Sequence, residues 1–174
     1  MKFSMKFALA AALQIALLVG MIGFKYKSLA TGTEIILEVP VPIDPRSLFR
    51  GDYVIIRYAI NNIDTGKIAG DLRGPVVGMP VFLVLEPNND EIWKPVAVYS
   101  EKPSGEGLFI KGRIKSVDNY GWNKDKLQVN YGIEQYFVPE GTGRDMEKRL
   151  REVKKAVVSV DPEGRASIIR IPEE

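Results

Sequence analysis

The densest group of chemically capable side chains lies in residues 42–58, which read PIDPRSLFRGDYVIIRY. Asp44, Arg46, Arg50 and Asp52 bring four charges into nine residues, between Pro42, Pro45 and Gly51. The prolines fix φ, and the glycine permits a turn. The charges have two uses. Asp44/Arg46 and Arg50/Asp52 can form charge-assisted pairs that only hold the loop in shape. Alternatively, the guanidinium groups can present a pocket for an anionic ligand or a partner's carboxylate. The tripeptide Arg50-Gly51-Asp52 matches an adhesion motif, but three residues are too few to specify a function.

A second polar block lies at Tyr131, Glu134, Tyr136 and Glu140. Asp44, Asp52, Glu134 and Glu140 together could serve a hydrolase built on carboxylates, since paired acids supply acid and base without histidine. The chain contains no Cys and no His. That removes thiol nucleophiles, histidine triads, disulfides and thiolate or imidazole metal sites, so no metal and no cofactor is expected. Asn88-Asn89-Asp90 reads as a turn, because it lacks the alternating oxygens and closing Glu of a calcium loop. Tyr53, Tyr58, Tyr120, Tyr131 and Tyr136 are numerous enough to line a groove, although tyrosine is common in sheets. Trp93 and Trp122 read as core or rim aromatics.

Both blocks have to be held by a scaffold, and its first part is apolar. Residues 7–24 read FALAAALQIALLVGMIGF, interrupted only by Gln14. Eighteen helical residues reach roughly 27 Å, close to the hydrocarbon thickness of a bilayer. The run is longer than the hydrophobic part of a signal peptide. Lys25 and Lys27 follow it directly and disfavour cleavage there, whereas Ser28-Leu29-Ala30 is a small-x-small triplet that a peptidase could accept. An anchor or a signal over residues 1–30 is expected, then one domain over 31–174. Lys2 and Lys6 precede the run, and the charge bias favours a single-pass anchor with the N-terminus cytoplasmic and the domain outside. With the four flanking lysines set aside, the formal +2 becomes −2. Such a domain is a poor binder of nucleic acid.

Beyond residue 30, short apolar runs alternate with Gly, Pro, Asn and Asp, the pattern of a mostly β domain. Strands are expected at 34–41, 53–60, 80–85, 93–99, 107–117, 126–138, 156–160 and 166–171. Along the 53–60 run, parity puts Val54, Ile56, Tyr58 and Ile60 on one face, with Tyr53, Ile55 and Arg57 on the other. Asp161-Pro162-Glu163-Gly164 has turn residues at the right positions for a hairpin. One amphipathic helix is expected, capped by Thr142 with Asp145 as box partner and striped by Met146, Leu150, Val153 and Val157. The whole is an α+β, mostly antiparallel arrangement behind a transmembrane helix.

Gly51-Asp52-Tyr53-x-x-Ile56-x-Tyr58 resembles the signature of the GDYXXLXY family of membrane-anchored bacterial proteins, with Ile56 where Leu is usual. Asp44-Pro45-Arg46, Phe49-Arg50, Tyr131-Gly132-Ile133-Glu134 and Tyr136-Phe137-Val138-Pro139-Glu140-Gly141 are similar to that family too. The resemblance implies a membrane complex with a multi-pass partner rather than a particular catalytic activity. A type I signal peptidase shares an anchor, a β domain and a Gly-Asp box. Aligned on Gly51-Asp52, however, its nucleophilic serine falls on Ile43, which cannot attack a carbonyl. The expectation is therefore a binding or assembly module working with an integral membrane protein, with a carboxylate-dependent hydrolase as the alternative. Its working surface is expected where the loop and strand of residues 50–58 meet residues 131–141.

Overall fold

The computed structural model describes residues 3–40, 53–72, 74–105, 107–118, 126–139 and 141–172. Helix α1 covers Phe3–Ala30. The strands are β1 (Thr33–Glu38), β2 (Tyr53–Ile55), β3 (Asn62–Asp64), β4 (Ala69–Gly70), β5 (Pro80–Pro87), β6 (Trp93–Tyr99), β7 (Phe109–Asp118), β8 (Lys126–Asn130), β9 (Gln135–Phe137), β10 (Lys155–Val160) and β11 (Ala166–Arg170), with helix α2 at Gly143–Val153 before β10. The domain is mostly β with one helix packed into it.

Three sheets form. One runs β1-β10-β11, one pairs β2 with β9, and the largest runs β3-β8-β7-β5-β6-β4. The expected antiparallel arrangement holds for all ladders except β4 with β6, which are parallel, and an isolated parallel bridge joins Ile36 to Ile92. The sheets are therefore mixed. The connection from β3 to β4 explains why. These strands end the six-stranded order on opposite sides, yet only residues 65–68 separate them. A flat sheet would hold its outer strands about 24 Å apart at roughly 4.8 Å per gap. Five Cα steps reach at most about 18 Å. The sheet must curl toward a barrel until its ends approach, and β4 then meets β6 running the same way. Gly70 is required at that contact, because a Cβ there would strike the Val98 carbonyl oxygen.

Curling gives the sheet an inner face. Ile63, Leu83, Ile110, Ile114, Leu127 and Val129 point inward, continuous with Ile35 and Leu37 of β1, Val158 of β10 and Leu150 of α2. The alternation along β1 follows from period-two geometry, with Ile35, Leu37 and Val39 at 0–1 % exposure. The hairpin at Asp161–Gly164 forms as its residues dictate. Gly164 N donates to Asp161 O at 2.8 Å, while Asp161 Oδ1 accepts from Glu163 N and Arg165 N. Arg165 Nε adds a 2.8 Å contact to Asp161 Oδ2, and this carboxylate raises the guanidinium's affinity for its proton. Asn88 closes the other expected turn, its Oδ1 accepting from Asp90 N and Ile92 N.

Two local expectations change at α2. Thr142 stands at the N-cap, but its hydroxyl donates to Pro139 O at 2.7 Å instead of accepting a helix N–H, so no capping box with Asp145 forms. The helix ends at Lys154, which turns left-handed at φ 52 and donates to Leu150 O. Val157 therefore belongs to β10, leaving the helical stripe at Met146, Leu150 and Val153.

Helix α1 behaves differently from the rest. Leu9, Leu13, Leu17, Leu18, Val19, Met21 and Ile22 are each 60–71 % exposed. Successive positions point about 100° apart, so these side chains surround the helix on every side. Its described side chains run from Met5 to Gly23, Phe7 excepted. Among the described residues, no helix is long and apolar enough to cross a membrane.

Candidate functional site

The two polar blocks meet in the structure. Strand β2 pairs with β9 in antiparallel register, with Tyr53 opposite Phe137, Val54 opposite Tyr136 and Ile55 opposite Gln135. Ile56 N continues the contact by donating to Glu134 O at 2.8 Å. The strand then stops, short of the expected residue 60. The chain turns through a 3-10 segment at Ala59–Asn61, and Asn61 N donates to Tyr58 O. Burial nevertheless keeps the expected parity: Val54, Ile56, Tyr58 and Ile60 are inside, and Arg57 is out. Asp44, Arg46, Arg50, Gly51, Asp52 and Glu140 lie outside the described residues, as do Tyr120 and Trp122 and the side chain of Tyr53.

Beneath the β2–β9 pair, a polar cluster sits within the apolar core. Asn61 is 7 % exposed and binds on both sides of its amide. Its Oδ1 accepts from Tyr58 N at 2.7 Å, and its Nδ2 donates to Val129 O at 2.8 Å and to Glu134 Oε1 at 2.9 Å. Glu134 also accepts from Tyr131 N at 2.6 Å and Gly132 N at 2.9 Å. With its amide nitrogen facing the carboxylate, Asn130 donates to Glu134 Oε1 at 2.8 Å. The carboxylate thus closes its own tight turn, where Gly132 has φ +81, and ties it to the strand–turn after β2. Both carboxylate oxygens are committed to holding backbone.

The tyrosines of the two blocks have separate fates. Tyr58 is fully buried, and its hydroxyl donates to Ile133 O at 3.0 Å. Tyr131 is 7 % exposed and donates to Ile60 O at 2.9 Å. Each ring reaches from one block to a carbonyl of the other, so the pair forms a reciprocal latch and does not line an open groove. Burial pushes both phenols well above their ordinary range, and the Glu134 charge adds to the shift. Tyr131 also needs room: a Cβ at Gly112 would strike Val129 Cγ1 and come within 2.8 Å of Tyr131 Cε1. Tyr136 is half-buried at the rim, and Phe137 beside it is 71 % exposed.

Asn61 was not foreseen as a centre of this cluster. Following an apolar strand and preceding a second Asn, it reads as an ordinary turn residue. The one sequence signal is its spacing of three from Tyr58, which suits a side chain returning to a backbone N–H. Among the described residues, no group of His, Cys, Asp or Glu is placed to hold a metal ion. A family model described as GDYXXLXY protein matches residues 14–171. Neither the curated proteins nor the solved structures contain a match.

Proposed function

The chain belongs to the GDYXXLXY family, and from that footing we propose that it is a membrane-anchored binding or assembly module. Residues 7–24 lie in the bilayer with the N-terminus in the cytoplasm, and the β domain stands outside against a multi-pass membrane protein. The observation that carries this reading is the uncovered apolar circumference of α1. A helix apolar on all sides needs either a protein interior or lipid around it, and the domain buries its own core without covering these side chains. The described apolar side chains alone are too few for a span, and Phe7 and Phe24 extend the run at its two ends. Tethering also raises the effective concentration of a weakly binding domain near its partner.

The signature residues support a scaffold role for the described part of the motif. The Tyr58 and Tyr131 hydroxyls bond backbone of the opposite block, and Asn61 and Glu134 bond each other while holding backbone on their own sides, which fixes β2 and hence the point where the chain of residues 42–52 enters it. That segment, with Asp44, Arg46, Arg50 and Asp52, remains the first candidate for contact with the partner. The test is a crosslinking pull-down of the full chain from native membranes, beside an Arg50→Ala/Asp52→Ala variant. Recovery of one multi-pass protein, lost in the variant, is the expected result. Recovery of no specific membrane protein by the wild-type chain would refute the reading.

A further inference from the structure

Gln14 is the single polar residue among residues 7–24, and its side chain stands exposed on α1. Counted along the helix, it lies roughly 10 Å inside Phe7 and 15 Å inside Phe24. Under the anchoring proposed above, that is near the middle of the bilayer. Lysine and arginine reach out of hydrocarbon on long stems, but a carboxamide at this depth is too short to do so. Lipid tails offer it neither donor nor acceptor, and an unpaired amide in hydrocarbon is costly. Gln14 therefore calls for a hydrogen-bonding group on another helix.

The residues on its side of α1 are spaced for such a neighbour. Ala10, Gln14, Leu17 and Met21 follow one another at intervals of four, three and four. That is the alternation of a helix-pairing seam, on which one polar residue sets the register. Leu17 and Met21 are 62 % and 71 % exposed, and Ala10 is exposed beside them. Ala12, Ala16 and Gly20 lie on the other side of the helix, roughly 120–160° around from Gln14.

We propose that α1 pairs in parallel with α1 of a second copy of this chain, Gln14 bonding to Gln14 across the seam, with Ala10, Leu17 and Met21 packed around the contact. A carboxamide carries both donors and an acceptor, so it is complementary to itself. Copies inserted in the same sense bring Gln14 to the same depth, and a twofold axis between them satisfies both amides at once. A different protein would need a polar group of its own at this level of the bilayer, a condition that the second copy meets by identity. Pairing through the anchor leaves the β domain to the multi-pass partner.

This inference rests on the anchoring proposed above. The chain has no native cysteine, so single cysteines report contacts between copies without background. Ala10→Cys, Leu17→Cys, Ala16→Cys and Gly20→Cys are introduced one at a time into the full-length chain and oxidised in native membranes. Strong disulfide-dimer bands are expected for Ala10→Cys and Leu17→Cys, and weak ones for Ala16→Cys and Gly20→Cys. Adding Gln14→Leu to Leu17→Cys lowers the band about fivefold or more, the scale of one interhelical hydrogen bond. Gln14→Asn keeps the carboxamide and retains most of the band. Bands equal at all four positions, bands strongest at Ala16 or Gly20, or a Leu17 band unchanged by Gln14→Leu overturn the proposal. A high-salt wash and the pull-down separate this pairing from the readings beneath it. Chain in the pellet with no dimer band at any position leaves the anchor standing and removes the pairing. Chain in the supernatant removes both. A Gln14-dependent dimer with no multi-pass protein recovered keeps the pairing and removes the assembly module.

Discussion

Asn61 and Glu134, 73 positions apart in the chain, meet through a 2.9 Å hydrogen bond under the β2–β9 pair. Through this contact the strand–turn after β2 and the turn before β9 become one unit. Asn61→Ala leaves Tyr58 N–H and Val129 C=O without their side-chain partner, a cost of about 2–3 kcal/mol. Glu134→Ala strips the 131–132 amides and costs about 1–3 kcal/mol. Because the two share one bond, the double variant costs less than the sum by about 1 kcal/mol. Urea unfolding of the four proteins measures this, and strict additivity would show that the residues act separately.

The latch tyrosines make stability sensitive to alkali. Both phenols are harder to ionise in the fold than at their ordinary value of 10.0, first because of burial and then because of Glu134. Their contribution is complete below pH 10. Above it the unfolded chain releases protons that the folded chain keeps, so stability falls as pH rises. Each tyrosine adds about 1.4 kcal/mol per pH unit to that fall. Tyr58→Phe/Tyr131→Phe is less stable at pH 7, having lost two hydrogen bonds, but its stability declines less steeply between pH 10 and 11. Equal slopes in the two proteins would contradict the assignment.

Gly112→Ala tests the packing around the latch. The added methyl meets Val129 and the Tyr131 ring, both on a rigid inner face, so neither yields easily. Overpacking of this kind costs about 1–3 kcal/mol, seen as a lower thermal midpoint. Pairing it with Val129→Ala opens space on one side and restores part of the loss.

For α1, the expected behaviour is retention of the full chain in the membrane pellet after a high-salt wash. Leu13→Asp/Leu17→Asp places two charges mid-helix, at about 2.5–3.5 kcal/mol each by insertion scales. The variant shifts largely to the supernatant. If it sediments like wild type, lipid is not what surrounds this helix.

Much of the domain was legible because one-dimensional rules decided it. Parity alone set which side of residues 54–60 is buried, and turn residues set the Asp161–Gly164 hairpin. What failed to show needed distant partners. The second strand gives way after Ile56 because Asn61 takes Tyr58 N and pulls the backbone into a 3-10 turn. The 126–138 run is cut because the Glu134 carboxylate folds a turn into its middle. Strands β3 and β4 have three and two residues, too short for any period to register, and exist because the curled sheet brings their neighbours to them. Thr142 and Val157 went astray locally: a carbonyl at Pro139 competed for the hydroxyl, and Lys154 ended the helix early. Within the candidate site, the tyrosines were visible as residue types, but only the fold separates the two that latch the core from Tyr136 at the rim.

Under the anchoring proposed above, the four-residue link between β3 and β4 has a consequence for crowding at a surface. Proteins tethered side by side are crowded, and an open sheet offers unpaired backbone on which copies can stack into aggregates. A six-stranded sheet bent until its ends approach, and finished by strands of two and three residues, presents little such template. The domain can thus be held at high density without the disulfide staples that its cysteine-free sequence forgoes.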